Sequence, residues 1–328
     1  MANIQVKSFI THKRGETDVD IQDSIAYDLE SGCFALSDGV TNSFLPKILS
    51  DLLTSTYIDG KGKSIFPPPS MPECFMTERN HYMDSLDEDM RLMEEMVEEE
   101  FHVGAATFVG LTMNGDEFSW QILGDSCLFI LPEDGRMRCF CSMTVKVSPQ
   151  WQLDVQFDNH PRQIHSDGVV VGEWIKGKRN ITSGWVILAS DAISNWIIKQ
   201  WNEGRDIITE LWNLHDNEVF ESFVEQEYQE HRLKSDDESV ILIRIGQQEE
   251  IAEIPVVPDT PELSEKSESP EPSEPTELIE SPEPSESSEP SESPVISESP
   301  VISDSSENSV SSEPIIEDDE FDYSGYSQ

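Results

Sequence analysis

The sequence predicts an α+β sandwich, and three observations point there. Apolar runs of strand length fall into two sets. Stretches with helical spacing come in pairs, where a βαβ chain would alternate them singly with strands. After "SVILIRIGQQ" the composition changes abruptly. The chain has 328 residues, long enough for one large domain or two smaller ones. From about Glu249 onward it is Ser, Pro and Glu, with roughly 24 acidic residues and one lysine, Lys266. Such a segment cannot bury enough apolar surface to offset the entropy of ordering. The expected organisation is a folded domain over 1–246 and a disordered Ser/Pro/Glu-rich acidic tail over 247–328.

Residues 3–12, 24–29 and 33–37 read as strands. "SFLPKILSDLLTSTYI" (43–58) has helical spacing, with Phe44, Ile48, Leu52 and Leu53 on one face and Pro46 in the first turn, where its missing N–H costs little. Residues 59–77 read as a loop. The acidic stretch from Met76 to Phe101 reads as one long amphipathic helix with its Met and Leu stripe turned inward. Four strand signals follow at 105–113, 117–123, 126–131 and 136–142. "NGDE" and "PEDG" supply turn chemistry between them, so an antiparallel meander is expected. Residues 143–180, carrying His160 and His165, read as irregular. A strand at 185–190 leads into a helix closing on Gly204, and a helical stretch over 206–232 precedes the last strand, "SVILIRI".

The net charge of −45 argues against nucleic acid and anionic membrane surfaces as direct partners. It suits metal cations and basic proteins instead. "MANIQVKSFITHK" lacks the apolar core of a signal peptide, and no run reaches the length of a membrane span. The five cysteines form an odd set without zinc spacing, so reduced thiols and a cytoplasmic location are expected. Cys139 and Cys141 would share one strand face.

Five places share one grammar: "QDS" at 22–24, "SDG" at 37–39, "GDS" at 124–126, "SDA" at 190–192 and "SDDES" at 235–239. Each sets an Asp at a strand boundary beside small residues. One alone would be ordinary turn chemistry. Five in series suit hard divalent cations, which take oxygen ligands and keep several waters. Two such ions could hold a phosphate and activate a water.

The ordered series "QDS", "FALSDG", "GAATFVGL", "LGDS", "VILASDAISN" and "SDDESVILI" resembles the PPM-type (2C-class) metal-dependent serine/threonine protein phosphatases over residues 1–246. The resemblance implies a four-layer α-β-β-α sandwich with two central antiparallel sheets. It also implies hydrolysis of phosphoserine or phosphothreonine in a protein substrate by metal-activated water at a binuclear Mn²⁺ or Mg²⁺ centre. Carried onto this chain, Asp38 would bridge two ions and Gly39 would offer its carbonyl. Asp191 and Asp236 would hold the second ion, Asp23 would hold a bound water, and Asp125 would belong to a third, weaker ion. Gly104, Ala105 and Thr107 would let a strand pass close beneath the site.

Departures from the pattern are Val40 in place of a proposed acid His and Asp18 in place of a phosphate-gripping Arg. Cys127 stands for Arg, Ala192 for Gly, and Asn195 for a second Asp. Lys13, Arg14 or Arg162 could replace the guanidinium, and His160 or His165 the acid. Three readings follow: an active phosphoprotein phosphatase, a catalytically weak or inactive phosphatase-like binding module recruiting partners through its acidic tail, or an enzyme for small phosphate esters. The tail would aid solubility, screen the site or capture a basic protein.

Overall fold

A computed structural model describes residues 3–62, 66–96, 102–133, 135–157 and 162–246, all within the unit Met1–Pro255. The predicted tail and His160 lie outside the described residues.

In chain order the first half holds β1 (Asn3–Thr11), a 3-10 turn (Asp18–Asp20), β2 (Ser24–Asp28), β3 (Cys33–Ser37), α1 (Pro46–Asp59), α2 (Met71–Ser85) and α3 (Glu88–Glu95). The middle holds β4 (Ala105–Ala106), β5 (Phe108–Asn114), β6 (Glu117–Leu123), β7 (Cys127–Leu131), β8 (Arg138–Phe140), β9 (Val145–Val147) and β10 (Leu153–Val155). Then come β11 (Gln163–His165), β12 (Val170–Val171), β13 (Ile175–Asn180), β14 (Gly184–Ala189), α4 (Asp191–Asn202), α5 (Ile207–Asn213), α6 (Asn217–Gln229) and β15 (Glu238–Gly246).

Two five-stranded antiparallel sheets form the centre, in the orders β1-β15-β14-β7-β8 and β13-β6-β5-β3-β2. Alternation along each strand decides what faces what. Phe34, Leu36, Val109, Leu111 and Ile122 from the second sheet meet Leu128, Ile130, Val186, Leu188, Ile241 and Ile243 from the first, making the layer between the sheets. The opposite face of the first sheet packs beneath α4, α5 and α6 through Phe129, Ile187, Leu242, Trp196, Leu211 and Phe220. The opposite face of the second packs beneath α1 and α2 through Ala35, Phe108, Leu53, Tyr57 and Phe75. The result is the four-layer α-β-β-α sandwich.

Several local expectations need correction. Helix α1 does begin at Pro46, but its buried face is Leu49, Leu53 and Tyr57 with Ser50 and Thr54, while Ile48 and Leu52 are half-buried. The loop after it is shorter than predicted, because α2 starts at Met71. The single long acidic helix is two helices, and Asp87 marks the break: its Oδ1 accepts from the Met90 N–H at 2.9 Å, capping the second. The Met and Leu stripe does not turn inward. Met76, Met90, Leu92, Met93 and Met96 are exposed, and the buried side chains of α2 are Met71 and Phe75.

The expected meander is also split. β5 and β6 pair in one sheet, whereas β7 and β8 pair in the other. Gly124, Asp125 and Ser126 carry the chain across. Gly124 sits at φ +113°, and a Cβ there would lie 2.4 Å from the Thr107 Cβ, so the crossing requires glycine. Residues 143–180 are not irregular: they hold β9 to β13, including an edge strand of the second sheet. The predicted helical stretch over 206–232 is two helices, each started by an Asp side chain. Asp206 accepts from the Thr209 N–H and Asp216 from the Val219 N–H.

Candidate metal centre

Antiparallel pairing gathers the five predicted carboxylates at one end of the sandwich. In the second sheet, Ser24 at the start of β2 faces Ser37 at the end of β3. Asp23 and Asp38 flank that pair. In the first sheet, Ala189 at the end of β14 lies between Cys127 at the start of β7 and Val240 near the start of β15. Asp191 follows the first of these strands; Asp125 and Asp236 precede the other two. Strands starting and strands ending alternate along each sheet, so all five loops leave from the same edge.

Hydroxyls hold this edge together. Ser37 Oγ donates to the Thr107 carbonyl at 2.7 Å, and the Thr107 N–H donates to the Asp38 carbonyl at 2.8 Å. Thr107 Oγ1 and Ser126 Oγ lie 2.8 Å apart, linking the start of β5 to the turn that crosses between sheets. Gly39 bridges Ala106, and a Cβ on it would meet the Gln22 carbonyl oxygen and the Pro46 Cβ at 2.8 Å each. Packing alone therefore requires glycine at 39. Ser190 accepts the Ser239 N–H on its Oγ at 3.0 Å and donates its own N–H to the Ser239 carbonyl at 3.0 Å.

Asp237, next to Asp236, ties three segments. Its Oδ1 accepts from the Lys13 N–H at 2.9 Å and its Oδ2 from the Gln22 N–H at 2.7 Å. An Asn would offer one acceptor where the carboxylate offers two.

Asp38, Asp191 and Asp236 are half-buried, while Asp23 and Asp125 are buried. Each has a carboxyl raised above its ordinary pKa, with burial the largest cause. For Asp38 the further causes are Asp23, Asp191, Asp125 and Asp236, so the other four all act on this residue. Burial, then Asp236, pushes Asp191 up to about 6; burial, then Asp191, pushes Asp125 up to about 8. No described Lys or Arg forms an ion pair with any of the five. Asp23 Oδ1 is buried without a hydrogen-bond partner.

A repelling set of carboxylates with one orphaned oxygen and no paired base fits hard divalent cations. Among the described residues, no three of these carboxylates bring an oxygen each within 4.8 Å of one another.

The remaining predicted residues separate clearly. Lys13 lies close enough to lower Asp236 against the effect of burial, and its Nζ reaches Glu16 at 3.4 Å. Arg14 is engaged with Glu225 at 3.3 Å and lies over the Tyr228 ring. Arg162 donates to the Ser142 carbonyl, beside the cysteines. His165, in β11, has its Nε2 2.8 Å from Gln163 Nε2 and is not among the main influences on any of the five carboxylates. Asp18 lies in the exposed 3-10 turn.

Two residues escaped the sequence reading. Lys234 acts on Asp191 as a nearby cation. Glu238, the first residue of β15, is fully buried with neither carboxyl oxygen partnered, and burial followed by Asp236, Asp23 and Asp237 pushes it up to about 10. It stood in the quoted "SDDES", yet only the pairing of Glu238 with Thr11 shows that the strand begins there.

No protein-family profile matches the chain, and no curated protein matches it. Solved structures do. The catalytic domain of the serine/threonine protein phosphatase PstP in complex with two manganese ions is 14% identical, with a TM-score of 0.46, covering 75% of this chain and 100% of that one. The Mycobacterium tuberculosis serine/threonine phosphatase PstP/Ppp is 13% identical, with a TM-score of 0.46 and coverage of 75% and 100%. PppA from Pseudomonas aeruginosa is 18% identical, with a TM-score of 0.42 and coverage of 74% and 97%. The chain is similar to these proteins at levels that leave its chemistry to be argued from its own residues.

Proposed function

We propose that this protein is a divalent-cation-dependent phosphatase acting on phosphoserine or phosphothreonine in a protein substrate. The observation that carries the reading is the convergence of Asp23, Asp38, Asp125, Asp191 and Asp236 on one edge, each raised by burial and all but Asp236 raised further by others of the set, with no base paired to them. Asp38, the Gly39 carbonyl, Asp191 and Asp236 would hold two Mn²⁺ or Mg²⁺ ions, with Asp23 and Asp125 reserved for bound water or a third ion. Such ions, when bound, supply an activated water and neutralise phosphate charge.

The chain's own groups do the rest. Ser239 aligns Asp23 by donating to its Oδ2 at 2.6 Å. Asp237 holds the Lys13 and Gln22 segments against the start of β15. Lys13 and Lys234 lower Asp236 and Asp191, so they are the cations proposed to meet an incoming phosphate. A lysine offers a point charge where the family's Arg would grip bidentately, so weaker phosphate binding is expected.

That weakness motivates the second reading, a phosphatase-like binding module. Val40 leaves no His beside Asp38, and Asp18 leaves no Arg. Of the two histidines singled out in the sequence, His165 is engaged by Gln163. In either reading the tail is proposed to meet a basic protein partner, and the protein is proposed to act in the cytoplasm; no described helix is long and apolar enough to cross a membrane.

The test is phosphate release from a phosphothreonine peptide with and without millimolar Mn²⁺, comparing the wild type with Asp38→Asn. Turnover that needs Mn²⁺ and falls by more than about 100-fold in Asp38→Asn supports the enzyme. No turnover by folded protein across several phosphopeptides favours the binding module. Turnover confined to small phosphate esters moves the substrate assignment.

A further inference from the structure

Cys127, Cys139 and Cys141 form a buried cluster that the carboxylate centre does not use. Their Sγ atoms all lie within 4.8 Å of one another, and none is in a disulfide. Spacing along the chain hides this, because the third thiol comes from a neighbouring strand. Phe129 pairs with Cys139 and Leu128 with Phe140. One further step along that ladder sets Cys141 opposite Cys127. All three thiols therefore share the helix-facing side of the first sheet, at the end where Asp125 crosses between sheets.

A single buried cysteine packs as a small apolar residue, as Cys33 does in the other sheet. Three polarizable sulfurs meeting at one point offer, beyond packing, a ligand set for a thiophilic ion. Zinc–sulfur bonds of about 2.3 Å in a tetrahedron put the sulfurs about 3.8 Å apart, so closing on an ion needs movement of no more than about 1 Å. Arg162 donates to the carbonyl of Ser142, the residue after Cys141, which sets a fixed positive charge beside the trio.

We propose that Cys127, Cys139 and Cys141 bind one thiophilic divalent cation, with Zn²⁺ as the physiological example and the fourth position left to a non-cysteine ligand. Thiolates select such an ion over Mg²⁺ and Mn²⁺, so the two centres would not compete. The Cys127 thiol donates to the Asp125 carbonyl at 3.2 Å, and the ion would replace that proton while gripping the first residue after the crossing turn. The site would stiffen the turn that presents Asp125.

The test uses the full chain, reduced, freed of metal and kept in excess Mg²⁺ so that the carboxylates are occupied. Titration with Co²⁺ is expected to give thiolate-to-cobalt charge-transfer absorption that saturates at one equivalent and is bleached by Zn²⁺. Cys139→Ser and Cys141→Ser should abolish it, and Asp38→Asn should retain it. Absence of the band in folded wild type overturns the proposal, as does a band that survives both serine variants. Should those variants fail to fold, alkylation of the wild type in urea near its unfolding midpoint decides the matter: zinc should slow modification of Cys127, Cys139 and Cys141 relative to zinc-free protein while Cys74, exposed in the fold, reacts equally in both, and equal rates at the three with and without zinc overturn the proposal.

Discussion

Ser239 Oγ donates to Asp23 Oδ2 at 2.6 Å, joining the last strand of one sheet to the residue that opens β2 in the other. The partner oxygen of the same carboxylate has nothing. One half of Asp23 is thus fixed by the fold and the other half is left unpaired.

Ser239→Ala removes the fixed half. Groups that orient a ligand typically contribute 10–100-fold to metal affinity. Mn²⁺ binding followed by calorimetry should weaken by about that factor, with the far-ultraviolet circular dichroism unchanged. Unchanged affinity would remove Asp23 from the centre.

Metal-free stability should fall as pH rises. Asp191, at about 6, and Asp125, at about 8, take up protons more readily in the folded chain than in the unfolded one. Their contribution is fully present below the ordinary carboxylate pKa and is lost as pH rises through the folded values. A bound cation replaces those protons. The gap in thermal midpoint between Mn²⁺-loaded and chelated protein should therefore widen from about pH 5 to about pH 8. A gap independent of pH would contradict the repulsion argument.

Glu238 is a buried acid with no partner for either oxygen. Replacing it with Met keeps the length of the side chain and removes two unsatisfied polar atoms. An unmet buried polar group costs about 1–3 kcal/mol, so Glu238→Met should raise the thermal midpoint by a few degrees. A lowered midpoint would show that Glu238 has a partner in solution.

Glu227 presents the opposite case. Burial alone would raise its carboxyl, but Arg232, Arg205 and Trp196 together hold it down at about 2. The Trp196 Nε1–H donates at 2.7 Å, Arg205 grips both oxygens at 2.8 and 2.9 Å, and Arg232 binds both as well. This contribution is present above the ordinary glutamate pKa and is lost as pH falls from about 4.5 to about 2. Glu227→Gln should cost about 2–3 kcal/mol in urea unfolding at neutral pH. That is a little below the range for breaking a buried pair, because both guanidiniums reach solvent.

Gly124→Ala combines a left-handed backbone with a clash at the Thr107 Cβ. It should destabilise the chain by more than about 1 kcal/mol, and it should weaken metal binding through the displaced Asp125. Gly115→Ala, also at positive φ but with open space around its Cβ, should cost less.

The strands β1, β2, β3, β6, β14 and β15 were legible because each is an apolar run bounded by turn residues, a signal carried within a few positions. The Met stripe of α2 and α3 was misread for a related reason. Helical spacing shows which residues share a face, and it does not show whether anything packs against that face. The crossing at Gly124 was invisible since "GDS" between two apolar runs is also what a hairpin turn looks like. The five Asp could be singled out by repetition alone. Their approach to one another could not, because it follows from pairings such as Ser24 with Ser37 and Ala189 with Val240, far apart along the chain.

By itself, then, the sequence determined the strands that are strong apolar runs, the acidic character and the residues at strand ends, all of which depend on near neighbours in the chain. Tertiary structure decided which strand ends share an edge, that Glu238 is buried beside them, and that Cys127 meets Cys139 and Cys141. Those outcomes depend on register between strands. A register is chosen by the sum of packing on both faces of a sheet, and no short stretch of sequence contains that sum.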